Sequence, residues 1–372
     1  MKRIPVGVLG ATGMAGMEMV RLLSDHPLFE LTFVAASLNN VGKSYREAVS
    51  ERGSAPYFAS ALRLFALEDL LGMQKRPKLL FSALSNEAAA EWDVRFASEG
   101  FSVVSMASQH RFDPFVPLLI PEVNACHLDL LPLQKRAKGW KGFLVAKPNC
   151  TLQSFVIPLE PLHRAFKLKR VLLTTLQAVS GAGFSALSSL DITENVIPYI
   201  SSEEEKTEKE PLKIWGSVGK EGIVLEKEIL LSAHCNRVPV ADGHLACVSA
   251  EFEKRPTLNQ VKEAWETFHP LPQQLKLPSA PNPVIHYFLE KDRPQPKLDR
   301  DLSGGMAVSV GRLRSCPLLH IRFVALSHNR VRGAAGGSLL TAELLQKKGF
   351  LDHVETQSDP LPLEGRLSFS RD

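Results

Sequence analysis

The sequence has no apolar run approaching the roughly 18 to 20 residues a membrane helix needs. Its start, Met1-Lys2-Arg3, leads into a strand and a glycine turn where a signal peptide would carry its apolar core. A cytoplasmic protein without membrane contact is therefore expected. Paired cysteines are missing too: the five, at 126, 150, 235, 247 and 316, contain no Cys-x-x-Cys and leave one odd, against a disulfide framework. His234, Cys235, His244 and Cys247 lie across two alternating strands without the paired short spacings of a zinc site, so no metal is expected. Charge of one sign is also absent. The 44 basic and 40 acidic residues are spread evenly to a net +4, too even for a nucleic-acid footprint, while small anionic ligands stay possible. There is no internal repeat and no low-complexity linker, and 372 residues suffice for about two domains with their own cores.

What is present begins with a βα grammar. Ile4 to Leu9 is an apolar strand, Gly10 to Gly13 a turn, and Met14, Met17, Val20, Leu22 and Leu23 line a helix stopped near Pro27. Leu31 to Ser37, Lys78 to Leu84, Phe101 to Ser105 and Phe143 to Ala146 read as strands, with a helix over Asn86 to Glu99. This alternation predicts a parallel, doubly wound sheet over residues 1–149. After Cys150 long strands dominate, at Val171 to Val179, Ile229 to Arg237, Leu245 to Phe252, Met306 to Arg314 and Leu319 to Leu326, which predicts a mixed or antiparallel α+β domain over 150–332. A last helix near 333–350 would pack back on the first domain, and residues 351–372 form a tail without periodicity.

Gly7, Gly10, Gly13 and Gly16 are spaced three apart over the first strand, turn and helix. That context lets backbone approach a pyrophosphate and lets helix N–H groups bind it, with Gly10, Ala11, Thr12, Gly13 and Met14 as the contact segment. The first domain is thus expected to be a Rossmann-type dinucleotide fold. A cofactor with a free ribose 2′-hydroxyl usually meets a carboxylate at the end of the second strand. Here that strand runs into Ala35-Ala36-Ser37-Leu38-Asn39-Asn40, and Ser37, Asn39 and Lys43 suit a 2′-phosphate instead, so NADP is expected over NAD.

Cys150 stands in Lys147-Pro148-Asn149-Cys150-Thr151, just before an expected helix. Free N–H groups and the positive helix end would stabilise thiolate over thiol, and thiolate is the form that attacks a carbonyl carbon. A lone cysteine is more often a buried packing residue, so its company matters.

That company is specific. With the opening glycine turn go Ser105 to Arg111 followed by Val116 to Asn124, then Pro148-Asn149-Cys150, the run Gln177 to Gly183, Arg237-Val238-Pro239-Val240 with Gly243-His244, and Asn329 leading into Arg332 to Gly336. On these motifs nearly the whole chain resembles aspartate-semialdehyde dehydrogenase, in its archaeal and fungal branch. The resemblance implies a two-domain homo-oligomer, dimeric or tetrameric, that reduces L-4-aspartyl phosphate with NADPH to L-aspartate 4-semialdehyde and phosphate. It would serve lysine (diaminopimelate), threonine and methionine biosynthesis. It also implies roles: Cys150 as nucleophile, His244 as acid–base with a pKa near neutrality, and Gln177 orienting the acyl intermediate. Arg237 would pair with the α-carboxylate, Glu203 with the amino group, and Lys206 and Arg111 with the phosphate. Ser180, Gly181, Asn329 and the Gly333 to Gly337 loop would lie on the nicotinamide side. On composition alone, Glu203 to Lys206 reads as a solvated helix face.

Two departures stand out. Met106 replaces the usual asparagine before the phosphate arginine, with Gln109 nearby, and Asn39-Asn40 replace an arginine and serine at the expected 2′-phosphate site. The competing readings are N-acetyl-γ-glutamyl-phosphate reductase, whose acetylated amine needs no carboxylate partner, and a noncatalytic NADP-binding homologue.

Overall fold

The computed structural model describes residues 3–183 and 189–352, so the expected tail lies outside the described residues beyond Asp352. Five strands, β1 (Ile4–Leu9), β2 (Phe29–Ala35), β3 (Leu79–Ser82), β4 (Ser102–Ser105) and β5 (Phe143–Ala146), form one sheet in the order β2-β1-β3-β4-β5. Every pairing in it is parallel. Strands β3, β4 and β5 are buried at every position, as a sheet covered on both faces requires.

A long strand β6 (Leu168–Gln177) opens the second unit, followed by a small hairpin, β7 (Ser217–Gly219) and β8 (Gly222–Val224). Then come β9 (Leu230–Arg237), β10 (His244–Phe252), β11 (Ile285–Tyr287), β12 (Val308–Ser315) and β13 (Ile321–Ser327). With β6 they make a six-stranded sheet, β11-β12-β13-β10-β6-β9. Its pairings are mixed: β6/β9 and β11/β12 are parallel, while β10/β6, β10/β13 and β12/β13 are antiparallel. This agrees with the expected α/β architecture of a parallel sheet plus a mixed one. The hairpin and β11 have three residues per strand, too short for periodicity to reveal.

Two helices join the halves. In Leu152–Phe166, Leu152, Phe155, Val156, Ile157, Leu159 and Leu162 are fully buried, and the helix packs on β10, β12 and β13. Each such side chain contributes about 1.5–3 kcal/mol by leaving water. The last helix, Gly336–Lys347, returns to the first sheet and shares a core with Val6, Val8, Phe81 and Val104 through Leu339, Leu340, Leu344 and Leu345.

Candidate active site

β1 is followed by Gly10, whose φ of +72° and 2.5 Å clearance from an added Cβ to the Ala83 carbonyl admit only glycine. Gly16 is equally confined, its added Cβ falling 2.2 Å from the Gly10 carbonyl. At Gly13 an added Cβ would stand 3.4 Å from the Gly10 carbonyl oxygen, and this residue caps the helix Met14–Leu22 without a side-chain hydrogen bond, leaving a bare helix N-terminus. Ala11 and Thr12 are buried beside it. Ser37 and Asn39 are exposed at the end of β2, and Lys43, also exposed, donates to Asn40 Oδ1 at 3.2 Å. The glycine cradle fits a dinucleotide pyrophosphate, and the polar rim at β2 fits a phosphorylated ribose.

β5 delivers the segment Lys147 to Cys150 to the junction of the two sheets. Asn149 shapes the turn: its Oδ1 accepts from Thr151 N–H at 3.0 Å, while its own N–H donates to Glu210 Oε2 at 2.8 Å. Cys150 is half-buried and lies against Gly333, where an added Cβ would stand 2.6 Å from Cys150 Cβ.

The helix Glu203–Ile214 brings three charges to this point. Residues 203, 207, 210 and 214 recur at helical spacing on its buried face, with Lys206 half-buried beside them. Glu203 Oε1 accepts from Thr151 Oγ1 at 3.1 Å and from Gln177 Nε2 at 2.9 Å. Glu210 Oε1 accepts from Arg111 Nη1 at 2.8 Å, and Lys213 Nζ donates to the carbonyls of Arg111, Asp113 and Val116. The expected solvated face is thus corrected for one side of this helix, where burial demands partners and the charges find them. Gln177 also donates to Thr175 Oγ1 at 3.2 Å, so its amide hydrogens hold Glu203 in place.

From β9 and β10 come Arg237 and His244. Arg237 Nη1 donates to the Ala178 carbonyl at 2.7 Å, and Gly181 lies above both side chains, its added Cβ only 2.8 Å from Arg237 Nη1 and 3.1 Å from His244 Nε2. Asn329 ties this turn together, donating to Ser180 Oγ at 2.8 Å and accepting from Gly243 N–H at 2.8 Å.

Two expectations about protonation are corrected. Burial, with Glu203 adding to it, pushes the Cys150 thiol up to about 11 against the lowering effect of Arg111, Arg237 and Lys147. The helix begins only at Leu152, and desolvation outweighs its positive end. Burial also pushes His244 down to about 3, with Arg237 and His328 reinforcing the shift, so the ring rests neutral. His244 Nδ1 accepts the Ala178 N–H at 3.0 Å. A backbone N–H can only donate, so the neutral ring carries its proton on Nε2, which has no hydrogen-bond partner among the described residues.

Residues 5–131 match the family described as semialdehyde dehydrogenase, NAD binding domain, and residues 159–332 match semialdehyde dehydrogenase, dimerisation domain. Aspartate-semialdehyde dehydrogenase of Methanothermobacter thermautotrophicus is 43% identical over 92% of this chain and 99% of its own length. That of Trichophyton rubrum is 44% identical over 93% and 98%. The chain belongs to the aspartate-semialdehyde dehydrogenase family. It is therefore an oxidoreductase with a nicotinamide-dinucleotide domain. The structure of the Candida albicans family member with NADP superposes with a TM-score of 0.84 at 38% identity, covering 94% of this chain and 99% of that one. The malonyl CoA reductase (NADP) of Metallosphaera sedula is also similar, 39% identical over 94% of this chain and 99% of its own.

Cys150, Gln177, Glu203 and Arg237 from the sequence reading meet in one place with His244, Arg111 beside them, while Gly10 to Met14, Ser37, Asn39 and Lys43 follow β1 and β2 at the same C-terminal edge of the first sheet that β5 leaves toward Cys150. Lys206 is half-buried on the same helix. Sequence reasoning missed Thr151, Glu210, Lys213, Glu122, Arg332 and Lys147. Among the described residues no cluster of His, Cys, Asp or Glu is set for a metal ion.

Proposed function

We propose that the chain reduces L-4-aspartyl phosphate with NADPH to L-aspartate 4-semialdehyde and phosphate, through a thioester on Cys150. The observation that carries this reading is the convergence, at one half-buried thiol, of a buried carboxylate (Glu203) and two buried guanidinium groups (Arg111 and Arg237). Those charges match a substrate bearing an ammonium, a carboxylate and a phosphate. In this assignment Arg237 pairs with the α-carboxylate, Glu203 with the ammonium, and Arg111 with Lys206 binds the leaving phosphate. Glu210 already holds Arg111, so that guanidinium is fixed before the phosphate arrives.

The Cys150 sulfur attacks the acyl carbon, phosphate leaves, and a thioester remains. Gly10 to Met14 would hold the cofactor's pyrophosphate and Ser180, Gly181 and Asn329 its nicotinamide side, and the bound cofactor would supply the hydride. His244 Nε2–H faces the reacting oxygen as a hydrogen-bond donor and stabilises the charge that gathers there. The hydrogen bond to Nδ1 makes the resting histidine a donor.

The similarity to a malonyl CoA reductase raises a second substrate, which bears no ammonium. Glu203, buried beside Cys150, would then meet no ammonium on the ligand, and this favours the aspartyl substrate. It likewise disfavours an acetylated amine. Phosphate-dependent reduction of NADP, and separately of NAD, by L-aspartate 4-semialdehyde tests the proposal. Activity there and none with malonyl-CoA supports it, and the reverse pattern overturns it. The cofactor and pathway assignments, NADP with lysine, threonine and methionine synthesis downstream, belong to the same reading.

A homodimer, alone or doubled into a tetramer, completes the proposal. Helices cover one face of the second sheet, while Leu172, Leu230, His234 and Cys247 are exposed on the other. A second copy of the chain fits this face.

A further inference from the structure

NADP differs from NAD by one phosphate, on the 2′-oxygen of the adenine ribose. Ser37, Asn39 and Lys43, the residues expected to meet it, bring a single positive charge between them. That charge sits on an exposed lysine whose Nζ donates to Asn40 Oδ1 at 3.2 Å. A phosphate monoester carries nearly two negative charges and is matched best by a planar guanidinium, which can donate two parallel hydrogen bonds.

Such a group reaches the glycine cradle from the segment after β2. The short helix Tyr45–Val49 is capped by Ser44, and Arg52 follows shortly after its end. Two side chains of this segment bond successive carbonyls of the glycine turn. Tyr45 Oη donates to the Ala11 carbonyl at 3.3 Å, and Arg52 Nη1 donates to the Thr12 carbonyl at 3.1 Å. Tyr45 is buried and anchors the segment, whereas Arg52 is exposed, so its charge lies on the solvent side of the turn. The end of β2 is tied to the same turn, because Ala11 N–H donates to the Ala35 carbonyl at 2.9 Å, just before Ser37. Thr12, Arg52 and the Ser37 end of β2 therefore border one corner of the cradle. In doubly wound dinucleotide domains this corner holds the ribose 2′ position: a carboxylate at the strand end meets the hydroxyl of NAD, and a nearby arginine accommodates the phosphate of NADP.

Resting on the NADP reading above, we propose that Arg52 is the residue that selects NADP in this chain, its guanidinium pairing with the ribose 2′-phosphate while Nη1 holds the Thr12 carbonyl. The bond to Thr12 places the side chain before the cofactor arrives, so little of its freedom is lost on binding. Its charge does not depend on pH in the range where the protein is folded. Local sequence conceals the residue, because a further helix separates it from the strand end where the 2′ contact is ordinarily sought. Holding Thr12 alone would be a different role. It would shape the turn that both cofactors share, and its loss would weaken NAD and NADP alike.

The experiment is a calorimetric titration of the full-length protein, without substrate, by NADP and separately by NAD, for the parent, Arg52→Gln and Arg52→Lys. The parent should bind NADP more tightly than NAD. Arg52→Gln removes the charge and should weaken NADP about 10- to 100-fold, the worth of a charge-assisted hydrogen-bonded pair. NAD affinity should change by no more than about 2-fold, as for an ordinary surface substitution, and the melting temperature should stay near the parent's. Arg52→Lys keeps the charge without the fork and should fall between the two for NADP. Equal weakening of both cofactors in Arg52→Gln overturns the proposal, leaving the arginine only its hold on Thr12. A preference for NADP that survives Arg52→Gln unchanged overturns it as well. A parent that binds NAD as tightly as NADP refutes the NADP reading itself, and the assignment of Arg52 falls with it.

Discussion

Gly333→Ala is the most direct test of how the nucleophile is held. An added Cβ would stand 2.6 Å from Cys150 Cβ, 3.0 Å from its Cα and 3.2 Å from its carbonyl oxygen. Carbon atoms in contact prefer about 3.5–4.0 Å, so the clash amounts to roughly 1 Å against backbone and Cβ, which no rotamer relieves. Either the segment Val331–Ala335 or the Cys150 turn must shift by about that much. Overpacking of this kind costs about 1–3 kcal/mol, and near 1 Å of misplacement at reacting atoms costs on the order of 10²-fold in rate. The expected result is kcat down roughly 10²-fold in the phosphate-dependent oxidation of L-aspartate 4-semialdehyde. The melting temperature should fall by about 2–10 °C. A variant with the parent's kcat and melting temperature would show that the helix does not confine Cys150, and the site geometry argued above would fall with it.

Cys150→Ala should abolish turnover while NADP binding, followed by nicotinamide fluorescence, stays near the parent's; an equal loss of cofactor affinity would speak against a nucleophile. Glu122→Gln leaves the fully buried Arg332 guanidinium uncompensated, and breaking such a pair costs about 3–5 kcal/mol. A thermal melt should therefore show a drop of roughly 10 °C, and an unchanged melt would mean the pair is dispensable. Glu203→Gln keeps the bonds to Thr151 and Gln177 possible but removes the charge, so kcat/KM for the aldehyde should fall about 10- to 100-fold, chiefly through KM. The same change should speed Cys150 alkylation at a given pH, because Glu203 is one of the groups raising the thiol, and a slower reaction would reverse that sign.

The fold was legible where hydrophobic period and turn chemistry agree. β1, the Gly10 turn and the helix Met14–Leu22 were each written in a few residues, and β3, β4 and β5 announced themselves as apolar runs. The second sheet's strands were also visible, but not their order, because β6 pairs in parallel with β9 across a span of sequence that carries the helix Glu203–Ile214. No local pattern encodes that pairing. Strands β7, β8 and β11 were too short to carry a period at all.

The site was legible as residue types and illegible as protonation states, and the cause is solvation. Cys150 and His244 were each visible in the sequence and Lys147 was not singled out, and the charges of all three depend on how much water the fold removes. Burial raises the acid Cys150 and lowers the bases His244 and Lys147, so at pH 7 the first two rest neutral and Lys147 is divided between amine and ammonium. Local context pointed the other way for Cys150, toward a helix end, and toward an ordinary imidazole for His244. The same blindness affected Glu203 to Ile214, where a run of alternating charges looked solvated. Its buried face instead spends its carboxylates on Thr151, Gln177, Arg111 and the Asn149 amide, and its Lys213 on three backbone carbonyls. A helix so bonded fixes the Arg111 loop of the first unit to the Cys150 turn that begins the second. The nucleophile therefore sits where the two sheets are tied together by buried charge, and any change that moves one sheet against the other moves the thiol relative to its substrate.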